Sequence, residues 1–254
     1  MLRWTAIVLA GSRPGRDAFA DEMGCELKAL IPVGGVPMVR RPVEALLASE
    51  HIGDVHVLAQ DPERIATVLP ADPRLRVGPS ADNIAETLLG LCNDPSVQWP
   101  LLVTTADHAL LDAEIIAEFC RRSSGDISIG LVERRVMLDR FPDARRTWLR
   151  FRGGAYSGAN LFILRSPKVA KALMLWRSVE QDRKKAWRLL WALGPSLFVG
   201  AALRLRGLHP TLQAAGRSIG LSVRAVELAD AIAAIDVDKK ADLKLAERIL
   251  KERK

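Results

Sequence analysis

The sequence predicts an α/β fold, with a largely parallel sheet covered by helices on both faces. Apolar segments of strand length recur through the first half of the chain, and segments of helical character separate them. Strands that are apolar along their whole length are buried on both faces, as in parallel sheets between helix layers. The chain has 254 residues, 49% of them hydrophobic, which is enough for one sizeable core and argues against disorder.

The elements follow in order. "TAIVLAG" (5–11) reads as a buried strand, and a proline-led helix is expected over 37–50. Strand 54–60, helix 62–69, strand 74–79 and helix 81–92 come next. "PLLVTTAD" (100–107) is a strand, 112–123 a helix with an acidic cap, and "DISIGLVE" (126–133) a strand. "TWLRFRGGAYSGANLFIL" (147–164) reads as two extended segments around Gly153-Gly154 and Gly158. A long helical stretch rich in Trp and Arg runs from Pro167 to about Arg217. "AIAAIDVD" (231–238) is expected to be a last strand, followed by a charged helix over 240–254. The parse is one domain over 1–254 with a helical insert at about 167–225, and no internal repeat.

Charge and cysteine usage narrow the class. The 37 Lys+Arg against 30 Asp+Glu give a net charge of +7, which suits anionic partners as well as a plain arginine-rich surface. Cys25, Cys92 and Cys120 show no metal-ligand spacing and fit a reducing cytoplasm. The four histidines form no zinc-binding array. No signal peptide is read at the N-terminus. The apolar stretch Leu189 to Leu203 is shorter than the roughly 20 residues of a membrane span and is broken at Gly194-Pro195.

Several short segments carry chemistry. In "LAGSRPGR", Gly11, Ser12, Gly15 and Arg16 follow a strand, where backbone N–H groups can meet phosphate oxygens. The spacing matches neither a Walker A loop nor GxGxxG, so taken alone the loop also reads as an ordinary turn. Lys28 follows, within reach of the same phosphates or simply solvated, ahead of a Gly-Gly turn. Asp107 stands at the carboxyl end of a central strand, where open α/β sheets bind ligands, and reads as a metal ligand or a helix cap. Asp236 and Asp238 form a second acidic site, two residues apart on the expected last strand and so on one face. Asp242 is expected to cap the final helix.

In this order the motifs resemble the nucleotidyltransferases of the nucleotide-diphospho-sugar transferase (GT-A) fold. They are similar to the molybdenum cofactor guanylyltransferase-like proteins and to sugar- and alcohol-phosphate cytidylyltransferases. The resemblance covers about 1–165 and 226–254. It implies a Rossmann-like three-layer sandwich with a mostly parallel mixed sheet. It places Leu9, Ala10, Gly11, Ser12, Gly15 and Arg16 around the nucleotide, and Lys28 on phosphate near the reacting centre. Gly78, Pro79, Ser80, Asn83 and Thr87 fall beside base and ribose, and Gly158 and Asn160 on the acceptor side. Asp107 matches the Mg²⁺-binding aspartate, and Asp236 or Asp238 the second metal position. The family's compact LAAGxGxRMG loop reads LAGSRPGRDAFADEMG here, and its "PK" reads "LK".

The activity implied is Mg²⁺-dependent transfer from an NTP, with CTP favoured, to a small phosphorylated acceptor, releasing pyrophosphate. Arg16, Lys28 and Asp107 are the expected catalytic residues. Seven arginines between Arg134 and Arg152 supply candidates for the acceptor phosphate, Arg134 first. The Trp- and Arg-rich insert reads as a lid or homodimer interface, or as a peripheral membrane contact through 176–206. A nucleotide-sugar glycosyltransferase would carry a DxD pair where "TADH" has one aspartate. A non-catalytic nucleotide-binding protein would not need Lys28, Asp107 and Asp238 together. No aromatic platform stands among the basic residues, so nucleic acid is not an expected partner.

Overall fold

The computed structural model describes residues 3–11, 17–181 and 205–253. Strand β1 (Trp4–Leu9) opens the fold, and α1 (Ala18–Glu22) follows under an Asp17 cap. A hairpin of β2 (Pro32–Val33) and β3 (Val36–Pro37) turns through Gly34 and Gly35, both at positive φ as the turn requires. Then come α2 (Arg40–Ala48), β4 (Ile52–Ala59), α3 (Pro62–Ala66), β5 (Leu75–Pro79) and α4 (Ile84–Asn93). Next are β6 (Leu101–Thr105), α5 (Ala113–Arg122), β7 (Ile127–Glu133) and α6 (Arg134–Arg140). The second half holds β8 (Leu149–Phe151), β9 (Gly154–Leu164), α7 (Ala170–Gln181), α8 (Leu208–Ser218), β10 (Val223–Glu227) and α9 (Lys240–Glu252).

The main sheet runs β10-β7-β9-β6-β1-β4-β5, with β8 paired to β9. Strand β9 is antiparallel to its neighbours β6, β7 and β8, while the other neighbouring pairs are parallel. β1 shows why this is a three-layer sandwich. Ala6 and Val8 pack with Val43, Leu46, Ile116 and Phe119 on one face. Ile7 and Leu9 pack with Leu88, Val169 and Leu173 on the other. All four β1 residues are buried, as a central strand between two helix layers demands. The expected α/β class, mostly parallel mixed sheet and acidic cap on α5 are all present. Asp112 accepts the Ile115 N–H at 2.8 Å.

Helix α6 was not read from the sequence, and the expected last strand and the end of the insert also differ from the structure. Residues 231–238 are not a strand. Asp230 accepts the Ile232 N–H and starts a short 3₁₀ turn, Ala231–Ala234, which is buried in the core. Its continuous apolarity reflects burial of a turn, which periodicity cannot tell from a buried strand. The last strand is instead β10, placed where the helical insert was expected to reach about 225. Val223 and Val226 are buried, while Arg224 and Glu227 are less so, a weak pattern suited to an edge strand. Within the insert the structure describes α7 and α8. Residues 182–204 lie outside the described residues, and most of the expected membrane-contact segment with them. Among the described residues no helix is long and apolar enough to cross a membrane.

Candidate active site

The site lies beyond the carboxyl ends of β1 and β6, beside the segment that leads into α9. Three separated stretches of chain meet there. Two residues after β6, Asp107 Oδ1 accepts the Thr105 hydroxyl at 2.5 Å. The Asp107 carbonyl accepts the Val237 N–H at 3.0 Å, which ties the 235–238 segment to the end of β6. Lys28 begins a short 3₁₀ turn (Lys28–Leu30) anchored on the hairpin by Val39 N–H to Ala29 O and Met38 N–H to Ile31 O.

These anchors converge on one ammonium. Lys28 Nζ donates to Asp107 Oδ2 at 2.8 Å and also to Asp238 Oδ1. The partners are 79 and 210 residues away in sequence, so only the fold brings them together. Burial disfavours the charge on Lys28, but Asp107 and then Asp238 outweigh it and push the pKa up to about 12. Asp236 is held differently. Arg146 Nη1 lies 2.5 Å from its Oδ1, and Asn160 Nδ2 donates to Oδ2 at 3.3 Å. Burial raises the Asp236 pKa, with Arg146 opposing and Asp238 and Asp107 adding to the rise. Asn160 reaches Asp236 from a left-handed backbone (φ 49°) at a register irregularity between β7 and β9. Asparagine tolerates this conformation better than most residues.

Asp242 sits in the first turn of α9 and reaches back to accept the Asp238 N–H at 3.3 Å. It thus caps from inside the helix, while Lys239 holds the cap position without a side-chain bond. His108 is buried behind Asp107, with Nδ1 3.3 Å from Thr104 Oγ1. Burial pushes its pKa down to about 4, against the pull of Asp107, so the ring is neutral near pH 7.

On the expected nucleotide side, Leu9 and Ala10 are buried, with Ala10 N–H on Leu58 O and Leu9 O on Ala106 N–H. Gly11 lies against the Gln60 side chain, where a Cβ would come within 2.9 Å. Ser12, Gly15 and Arg16 lie outside the described residues. Gly78 and Pro79 end β5, and the Ser80 N–H donates to Ala59 O. Asn83 and Thr87 turn inward on the chain itself. Asn83 Oδ1 caps α4 through Glu86 N–H, and Thr87 Oγ1 bonds Ala81 N–H and Asn83 O. Their side chains therefore shape the loop that the sequence reading assigned to base and ribose.

On the acceptor side, Gly158 is exposed and open space lies where a Cβ would stand. Arg134 is exposed at the start of α6, its guanidinium 5.9 Å above the Trp148 ring. The arginine that joins the carboxylates is Arg146. It stood among seven arginines in the sequence, and no spacing rule singles out a residue in an irregular loop.

Asp107 and Asp238 already converge on one cationic group. Among the described residues no cluster of three or more His, Cys, Asp or Glu forms a closed metal cage. Mg²⁺ commonly takes one or two carboxylates and completes its shell with water and substrate phosphates. The residues present fit that mode.

Comparison with known proteins agrees with the architecture. The MobA-like NTP transferase domain matches residues 6–192. A structure titled a hypothetical transferase from Thermus thermophilus is 30% identical, with a TM-score of 0.79, and the match covers 95% of this chain and 100% of that one. A 4-diphosphocytidyl-2C-methyl-D-erythritol synthase from Anaerococcus prevotii is 10% identical over 98% of this chain and 96% of its own, with a TM-score of 0.58. A CMP:2-keto-3-deoxy-manno-octonic acid synthetase, solved with CTP, is 12% identical over 99% and 100%, with a TM-score of 0.60. At such identities the last two speak to the fold alone. No protein of curated function matches the chain.

Proposed function

We infer the reaction from the family: the chain belongs to the MobA-like NTP transferase domain family and is a nucleotidyltransferase. On that premise we propose that it transfers the nucleotidyl group of an NTP to a small phosphorylated acceptor and releases pyrophosphate. The observation that carries this reading is the Lys28 ammonium held between Asp107 and Asp238 at the carboxyl edge of the sheet.

The acceptor phosphate oxygen attacks the α-phosphorus, and the bond to the bridging oxygen of pyrophosphate breaks. A phosphate nucleophile is already ionised, so no protein base is required. The neutral, buried His108 is consistent with that. The protein's work is positioning and charge neutralisation. Asp107 and Asp238 would hold Mg²⁺, which when bound neutralises charge on the phosphates. Lys28 exchanges its carboxylate partners for the phosphates of the incoming nucleotide and steadies the leaving pyrophosphate. Arg16, outside the described residues, is assigned to the same group by the family resemblance. Arg146 and Asn160 keep Asp236 fixed behind the site.

CTP is the proposed donor, supported by the resemblance of the sequence motifs to sugar- and alcohol-phosphate cytidylyltransferases. The test is pyrophosphate release with Mg²⁺, each of the four NTPs and a panel of phosphorylated alcohols and sugars. One NTP should support release only when an acceptor is present. Turnover of a nucleotide sugar, with none from any NTP, would overturn the reading in favour of a glycosyltransferase.

A further inference from the structure

A groove of about 910 Å³ opens beside the carboxylates, between the 140–146 loop and the exposed face of α9. Ala241, Lys244, Leu245 and Arg248 line it from α9. Their spacing of three and four residues puts them on one helix face. Phe141, Ile235 and Leu245 give it apolar walls. Its inner end is walled by Arg146 and Asp242, whose side chains in turn hold Asp236 and the Asp238 N–H. The other end runs outward along α9, where Arg248 stands about 12 Å beyond Lys240 at a helical rise of about 1.5 Å per residue.

Its charge is unbalanced. Arg140 is spent on Asp230 and Arg146 on Asp236. Arg145, Lys239, Lys244 and Arg248 make no side-chain ion pair or hydrogen bond among the described residues. Two carboxylates, Asp143 and the buried Asp242, line the groove against these four cations. Unpaired cations along a concave wall focus a positive potential into it.

We propose that this groove anchors a second phosphate of the acceptor. The acceptor is then a bisphosphorylated small molecule. One phosphate reacts at the Asp107–Asp238 end, and the other is held by Lys244 and Arg248 across a carbon spacer lying on Phe141 and Leu245. This rests on the transferase reading and adds the substrate class.

The probes are hexane-1,6-diyl bisphosphate and hexyl phosphate, which share a spacer and differ in one phosphate. Their binding to the intact protein is measured by calorimetry without nucleotide. The wild type should bind the bisphosphate at least about tenfold more tightly. In Lys244→Gln/Arg248→Gln that advantage should fall below about threefold, with hexyl phosphate affinity and Mg·NTP stabilisation unchanged. Both positions are exposed on a helix and glutamine is a good helix former, so the fold is kept. No advantage in the wild type, an advantage that survives the double substitution, or equal loss of both probes would each overturn the groove assignment. Absence of nucleotide binding in the wild type would instead sink the transferase reading, and the acceptor assignment with it.

Discussion

Lys28 occupies, with its own charge, the place between two carboxylates proposed above for a divalent cation. Competition follows for the nucleotide-free protein. Lys28→Met should bind Mn²⁺ at least about tenfold more tightly than the wild type in an electron paramagnetic resonance titration, because the ammonium no longer holds the carboxylates. Equal or weaker binding would contradict the bridging role. The same substitution should cut turnover by about a hundredfold or more through loss of a phosphate contact. The raised Lys28 pKa also has a pH consequence. The charged form is favoured in the folded state, so its contribution to stability is complete below 10.5 and is lost as pH rises through about 12. Thermal melts across about pH 6 to 9 should therefore show no Lys28 step, and one there would contradict the pairing. The sequence offered Lys28, Asp107 and the Asp236/Asp238 pair as candidates. It left the choice within the pair open, because same-face geometry on a strand does not apply to a segment that is no strand. In the structure Asp238 shares the Lys28 ammonium with Asp107, while Asp236 is held by Arg146 and Asn160.

The β7–β9 pairing explains Asn160. Gly130 on β7 faces Leu161, and a Cβ there would come within 3.1 Å of the Leu161 Cβ. Beside that close approach β9 is irregular, and Asn160 takes its left-handed turn. Asn160→Gly removes the amide but suits the backbone, whereas Asn160→Ala removes the amide and keeps the strain. The alanine variant should be less stable than the glycine variant by about 1 kcal/mol, a shift of roughly 2–4 °C in melting temperature. Identical melting would contradict a strained backbone at this position. Loss of the Asp112 cap should cost about 1 kcal/mol in Asp112→Ala, read by chemical denaturation. That cap was legible because an acidic residue directly precedes an amphipathic run. β10 was not legible, because a five-residue edge strand with two buried valines carries too little alternation beside a long helical run.

The molecule as a whole follows from apolar strands that must be covered on both faces. That made the α/β class and strands β1, β4, β5, β6 and β7 readable. The reversed β9, between β7 and β6 in the order, was read as extended, but its direction and neighbours come from long-range pairing that no local pattern encodes. Under the proposed function, the edge of the sheet bearing Lys28, Asp107 and Asp238 binds a metal–nucleotide complex. Thermal melting of the wild type, Asp107→Ala and Asp238→Ala with each NTP, with and without Mg²⁺, tests it directly. At about 100 times Kd a ligand specific for the folded state adds about 2.7 kcal/mol, or roughly 5–10 °C here. The wild type should show such a shift with one NTP, dependent on Mg²⁺ and lost in both variants. No shift with any NTP, or a shift that survives both substitutions, would contradict it.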